Sequence, residues 1–297
     1  MRIAVTGANS SVGQNLLAHI VAHTEHTVIA GARSQAALST LPTPNRIEPR
    51  VISYDSAANL ATALQGADCI VHLAGILIES KHTTYSHANV EATRCVAAAA
   101  ELIGAKQLVF ISVVGANPAS TNAYFRSKGA AEELVAAARI GSSIIRTPIL
   151  LGPGTAGASS LLGAASKTKT KVLGGGNYSM RPLDIDDLNM AILRCCEMSA
   201  SSSSTYELVG PEAISYRNLI LKTAALMGKR VEIGSIPIWV ARLGAAISSR
   251  LKGGGITPTV LDVITADEVV TQNADVALNI SLTPLADTLA KIAGKSK

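Results

Sequence analysis

Aromatic side chains are scarce in this chain, with one Trp, six Tyr and two Phe among 297 residues. Binding of single-stranded nucleic acid relies on aromatic platforms for base stacking, so that class of partner is disfavoured from the outset. Ala, Leu, Ile and Val must fill the core instead. Charge is sparse too, at 16% of residues against 48% hydrophobic, which excludes disorder and describes a globular protein with a large interior. The formal net charge of +5 is scattered, and the one dense cationic run, "KTKTK" at Lys167 to Lys171, reads as a solvated loop. Only four cysteines occur, Cys69, Cys95, Cys195 and Cys196, and none has C-x-x-C or His-paired metal spacing. Buried, reduced thiols are expected, and with them a reducing cytoplasm. No apolar run approaches the roughly 18 residues of a membrane span. The first strand begins too early for a signal peptide, so the expected location is cytoplasmic, peripheral to the inner membrane at most.

What is present is a rhythm. Short β-rich runs alternate with helical patterns through the first half: "RIAVTG", "TVIAGAR", "VISYD", "CIVHLAG", "QLVFISVVGA" and "SSIIRTPILLGPG", separated by helices such as "VGQNLLAHIVAHT" and "NVEATRCVAAAAELIGA". Alternation of this kind predicts an α/β fold, a Rossmann-type doubly wound parallel sheet covered on both faces. Residues 1–151 read as the nucleotide-binding domain, completed by part of 180–210, and residues 152–297 as a smaller C-terminal α/β lobe interwoven with it. "ASSSST" at Ala200 to Thr205 reads as a surface connection and "LKGGGITP" at Leu251 to Pro258 as a flexible joint. There is no internal repeat.

The stretch "MRIAVTGANSSVGQN" places a glycine turn between a strand and a helix, the arrangement that offers a helix N-terminus to a phosphate. Three glycines serve three purposes in such loops: the tight turn, close approach to the pyrophosphate, and packing of helix on strand. Gly7 and Gly13 hold the outer places. Ser10 holds the middle one and Ser11 the alternative middle one, so a Cβ intrudes, although the Ser10 hydroxyl can itself donate to phosphate. The second strand ends in Ala32 and Arg33, where an NAD site places an acidic residue for the ribose hydroxyls. Arginine grips a 2′-phosphate, so NADP(H) is favoured over NAD(H). Asp55 is placed either to meet an adenine amino group or to cap the following helix.

"YFRSK" sets Tyr124 and Lys128 four residues apart on one helix face. An ammonium beside a phenol favours phenolate and would bring the tyrosine pKa down towards working pH, the requirement for a general acid/base.

The order of these motifs resembles the short-chain dehydrogenase/reductase superfamily in its extended or atypical, NAD-dependent epimerase/dehydratase-like branch, over essentially the whole chain. Thr6 to Gly13, Asp55, "VHLAG" at Val71 to Gly75, Asn89, "FISVVGA", Tyr124 with Lys128, and "RTPILLGPG" fall in that order. "AGILIES", "ISVVGANP", "YFRSKGAAEE", "GGGNYSMRPLDIDDL", "YELVGPEAISYRNLI", "ITADEVV" and "LTPLADTL" look like the branch containing the nucleotide-binding accessory subunit of respiratory complex I and its bacterial relatives. The resemblance implies a cofactor site built from Thr6, Gly7, Ser10, Ser11, Val12, Gly13, Arg33, Asp55, Leu73, Ala74, Gly75, Asn89 and Lys128. It implies that Tyr124 is the acid/base, that Lys128 binds the nicotinamide ribose, and that Asn89 helps position the active-site region. The family's catalytic Ser or Thr would follow Ser112, yet Val113 stands there; Ser112 substitutes only if the loop shifts.

Two classes of function follow: an NAD(P)-dependent oxidoreductase or epimerase-like enzyme acting on a carbonyl or hydroxyl carbon, and a non-turnover nucleotide-binding subunit of an assembly like respiratory complex I. A small-molecule substrate and a partner complex are the corresponding partners. His72 reads as structural, Asp186 and Asp187 as helix caps, and "GGG" at Gly174 to Gly176 as a turn. In "PIWVARLGAAISSRLK", Trp239, Leu243, Ile247 and Leu251 form a stripe with Arg242, Arg250 and Lys252 outside it. That face either closes the second lobe over the core or lies on a membrane or partner.

Overall fold

The computed structural model describes residues 1–42, 44–198, 202–252 and 255–294. In chain order the strands are β1 (Arg2–Thr6), β2 (Thr27–Ala32), β3 (Ile47–Val51), β4 (Cys69–His72), β5 (Gln107–Val113), β6 (Gly141–Thr147), β7 (Leu150–Leu151), β8 (Lys169–Leu173), β9 (Ser179–Met180), β10 (Leu183–Asp184), β11 (Ser203–Glu207), β12 (Ile214–Ser215) and β13 (Glu232–Ile236). The helices are α1 (Ser11–His23), α2 (Gln35–Leu38), α3 (Ala57–Leu64), α4 (Ala92–Leu102), α5 (Ala123–Ala136), α6 (Ala156–Ala165), α7 (Ile185–Glu197), α8 (Tyr216–Leu226), α9 (Ile238–Lys252), α10 (Pro258–Ile264) and α11 (Leu285–Ile292), with a π-helical turn at Ser86–Glu91 leading into α4.

Seven strands form one parallel sheet in the order β11-β6-β5-β4-β1-β2-β3, which bears out the expected doubly wound fold. Period-2 alternation sends Ile3 and Val5 to one face, against Leu16, Leu17 and Ile20 of α1 and Leu188 and Ile192 of α7. It sends Ala4, Ile70, Leu108 and Phe110 to the other, against α3, α4 and α5. Fully buried Leu and Ile side chains such as these each contribute about 1.5–3 kcal/mol. A third apolar cluster joins α6, α8 and α11 around Leu161, Leu219 and Leu289. Polar residues start the helices: Ser10, Ser56, Asn122 and Asp184 each accept a backbone amide in the first turn of α1, α3, α5 and α7.

Several local expectations are corrected. The third strand is "IEPRV", not "VISYD". Pro49 disguises it, since proline cannot donate to a ladder, but β3 is the sheet edge and tolerates the loss. Lys169 and Lys171 lie in β8, not in a loop, with Val172 turned inward and the lysines outward. Ser203 to Thr205 belong to β11, paired with Ser142, Ser143 and Ile144 of β6, rather than to a surface connection; Ala200 and Ser201 lie outside the described residues, as do Gly253 and Gly254 of the expected joint. Asp184 caps α7, while Asp187 is buried and holds Thr283, and Asp186 pairs with Lys291. Ser56, not Asp55, caps α3.

Candidate functional site

Strand order reverses between β1 and β4, and crevices at such switch points are where open parallel sheets bind ligands. Two loops meet there. Gly7, at φ +76°, approaches the loop after β4 so closely that a Cβ would stand 3.0 Å from the Ala74 amide nitrogen. A Cβ on Gly13 would stand 2.5 Å from the Ala8 carbonyl oxygen and 2.6 Å from that of Gly7, so only glycine lets α1 start this close to β1. Ser10, by contrast, has ordinary extended backbone (φ −67°, ψ 160°), and its Oγ accepts the Gly13 amide at 3.0 Å. Here the middle place of the loop requires a cap rather than a glycine. The first-turn amides of Ser11 and Val12 have no intrahelical acceptor by helix geometry.

A cavity of about 440 Å³ opens over this turn, and Gly7, Ser10, Arg33 and Asp55 line it together with Leu73, Ala74 and Gly75. Arg33 is exposed at its rim, one residue beyond β2, with Ala32 before it. The sequence reading did not single out Asn9 and Tyr54, which also line it, as does His87 from the segment after β4. Tyr54 was hidden in the run mistaken for a strand. Burial pushes its hydroxyl up to about 12, so it remains a neutral phenol.

Thr6 faces the interior. Its Oγ1 lies 2.7 Å from His72 Nδ1, and His72 Nε2 lies 3.1 Å from Thr93 Oγ1, which donates to the Asn89 carbonyl at 2.6 Å. With its proton committed to Asn89, Thr93 accepts from His72, which assigns the Nε2–H tautomer and makes Thr6 the donor to Nδ1. Burial holds His72 near 3, neutral and structural. Asn89, itself buried, accepts the Ile76 amide at 2.8 Å and donates to the Ile76 carbonyl at 3.1 Å and to Ser127 Oγ at 3.0 Å. It latches the β4 loop to α5.

Tyr124, Lys128 and Ser112 lie beyond this latch, at the end of β5 and the start of α5. Tyr124 packs its ring 5.8 Å from that of Tyr85. Lys128 Nζ donates to the Ile111 carbonyl at 2.8 Å and sits 4.1 Å from the centre of the Phe110 ring. Burial pushes Lys128 down to about 7, against an upward pull from Glu132, whose carboxylate is gripped by Arg146 at 2.6 Å. Tyr124 moves opposite to expectation: burial first, and Tyr85 second, raise its pKa above the ordinary value. The phenol is half-buried, while Lys128 on the same helix spends its hydrogen bond on backbone. Ser112 is buried, and its Oγ has no hydrogen-bond partner among the described residues. Strand alternation turns it to the Phe110 side, towards α5.

The residues present fit a dinucleotide: a glycine cradle that a Cβ would fill, a helix N-terminus and a cavity at the switch point. Among curated proteins, the chain is similar to a ceramide reductase of Caulobacter vibrioides, 21% identical over 79% of this chain and 73% of that protein. It is also similar to NADH dehydrogenase [ubiquinone] 1 alpha subcomplex subunit 9, mitochondrial, of Arabidopsis thaliana, 27% identical over 59% of this chain but 43% of that protein. Among solved structures, MoeE5 in complex with UDP-glucuronic acid and NAD shares the fold at a TM-score of 0.76 and 19% identity, over 99% of this chain and 98% of that one. Residues 7–173 match the family model described as NAD(P)H-binding, and the chain belongs to that NAD(P)H-binding family.

Proposed function

We propose that the protein is an NADP(H)-dependent oxidoreductase of the short-chain type that reduces a carbonyl carbon, with Tyr124 as proton donor. The observation that carries this reading is the adjacency of two half-sites. A nucleotide cradle with Arg33 and no carboxylate at the end of β2 abuts, across the Asn89 latch, a half-buried Tyr124 and a buried Lys128 on one helix. The likeness to a protein named a ceramide reductase supports reduction as the direction.

When bound, NADP(H) supplies or accepts a hydride. The chain's own residues do the rest. The Gly7 turn and the first amides of α1 receive the pyrophosphate, and Arg33 receives the 2′-phosphate. Tyr124, raised by burial, stays protonated at neutral pH and so acts as an acid, donating its hydroxyl proton to the oxygen of the reduced carbonyl. Lys128, near 7, holds an exchangeable proton at Nζ within the same buried region. Ser112 Oγ, a buried donor whose hydroxyl is uncommitted among the described residues, takes the orienting place that Val113 leaves without a hydroxyl.

A second reading, a non-turnover nucleotide-binding subunit of a complex-I-like assembly, is favoured by Val113 and by the likeness to the plant subunit. Cofactor choice is tested by thermal denaturation. NADPH is expected to raise the melting temperature more than NADH at equal concentration, since a ligand at 100 times its dissociation constant adds about 2.7 kcal/mol. Arg33→Ala should shrink the difference. Equal shifts in the unmodified protein would remove the argument for NADP(H).

A further inference from the structure

Helix α9 turns an apolar face to solvent rather than closing the second lobe. Trp239, Leu243 and Ile247 are 70%, 59% and 56% exposed, with Val240 beside them at 41%. At helical geometry the four side chains fall within an arc of about 100°. The packed side lies elsewhere: Ala245 is buried, Ile238 lies against Gly174, and Arg242 pairs with Asp262 of α10. A contiguous exposed apolar stripe of this kind marks an interaction surface.

The charge of the segment has one sign. From Ile238 to Ile256 the sequence carries Arg242, Arg250 and Lys252 and no Asp or Glu, so that with Arg242 paired to Asp262 the remaining charge is that of Arg250 and Lys252. Tryptophan and aliphatic residues on one arc, in a cationic helix of moderate hydrophobicity, make an interfacial helix that seeks an anionic surface. Among the described residues, no helix is long and apolar enough to cross a membrane, so α9 would lie along the surface. The chain that follows the helix is also tied to the Tyr124 end of α5 from two sides. Asn122, the cap of the helix that carries Tyr124, donates through Nδ2 to the Thr259 carbonyl of α10 at 3.0 Å. The Gly255 amide donates to the Glu79 carbonyl at 3.3 Å, in the segment leading to Tyr85, which packs on Tyr124.

We propose that α9 is a docking surface for an anionic lipid bilayer, and that it holds the Tyr124 end of α5 at the membrane, where a carbonyl substrate dissolved in the bilayer reaches the site. The substrate class rests on the oxidoreductase reading; the docking does not.

Trp239 is the sole tryptophan, so its emission reports directly on the helix. Full-length protein is mixed with vesicles of phosphatidylcholine alone or with added phosphatidylglycerol, at low and high salt, and followed by Trp emission and co-sedimentation. A blue shift and pelleting are expected with the anionic vesicles, weakening about tenfold or more at high salt, as screened surface attraction does. The double variant Leu243→Glu, Ile247→Glu should lose both signals while keeping its melting temperature and its response to NADPH. Tyr124→Phe should still pellet, which separates failure of docking from failure of the catalytic assignment. Absence of any lipid-dependent shift, or equal pelleting of the double variant, would overturn the proposal. So would a blue shift that grows with protein concentration without lipid, accompanied by a doubled sedimenting mass, which would give the face to a second copy of the chain.

Discussion

Lys128 Nζ donates to the carbonyl oxygen of Ile111 at 2.8 Å, spending on backbone the hydrogen bond that a Tyr–Lys pair is expected to direct at the reacting centre. Its side chain is buried with the ammonium over the Phe110 ring, and burial brings its pKa from 10.5 down to about 7. The site therefore holds a lysine at the edge of neutrality beside a tyrosine firmly protonated.

The depressed lysine has a consequence for stability. Between pH 7 and pH 10.5 the unfolded chain binds a proton at Lys128 that the folded chain releases, so folding becomes more favourable as pH rises through that window. The slope is at most about 1.4 kcal/mol per pH unit from this one group. Urea denaturation at pH 7, 8 and 9 should show the rise in the unmodified protein and its absence in Lys128→Met. Identical pH dependence in the two proteins would place Lys128 in a solvated environment.

Gly13→Ala sets a methyl group against two carbonyl oxygens at 2.5 and 2.6 Å. Overpacking of that order costs about 1–3 kcal/mol, and it must push the start of α1 away from β1. The expected outcome is a lowered melting temperature together with loss of the NADPH-induced shift, measured in one thermal series. An unchanged cofactor response would mean that the phosphates do not bind at this turn.

The strand–helix alternation and the Gly7–Gly13 turn were legible in the sequence because each depends on local chemistry: period-2 apolar runs, polar caps and glycines with no room for a Cβ. What escaped depended on neighbours. Pro49 reads as a strand breaker unless β3 is known to be the sheet edge. Ser203 and Ser204 have the composition of a linker and become strand only because β6 offers them a ladder. Tyr54 joined the cavity once β3 ended at Val51. The π-helical turn at Ser86–Glu91, which aims Asn89 at Ile76 and Ser127, leaves no mark in composition. The spacing of Tyr124 and Lys128 was readable, but not that enclosure would raise the phenol and lower the amine.

The most direct test of the proposed chemistry is NADPH oxidation with a panel of carbonyl compounds, run beside NADPH titration, for the unmodified protein and Tyr124→Phe. Slow turnover is expected from the unmodified protein, because Ser112 stands one residue before the position of the family's orienting hydroxyl, and complete loss of such a donor would cost about 100- to 1,000-fold. Tyr124→Phe should lower the rate by about a further 100-fold or more, the usual contribution of a positioned acid, while binding NADPH as before through Gly7, Arg33 and the first amides of α1. Turnover that is the same in both proteins, or absent from both while NADPH binds, would contradict the catalytic assignment and leave the nucleotide-binding subunit as the function.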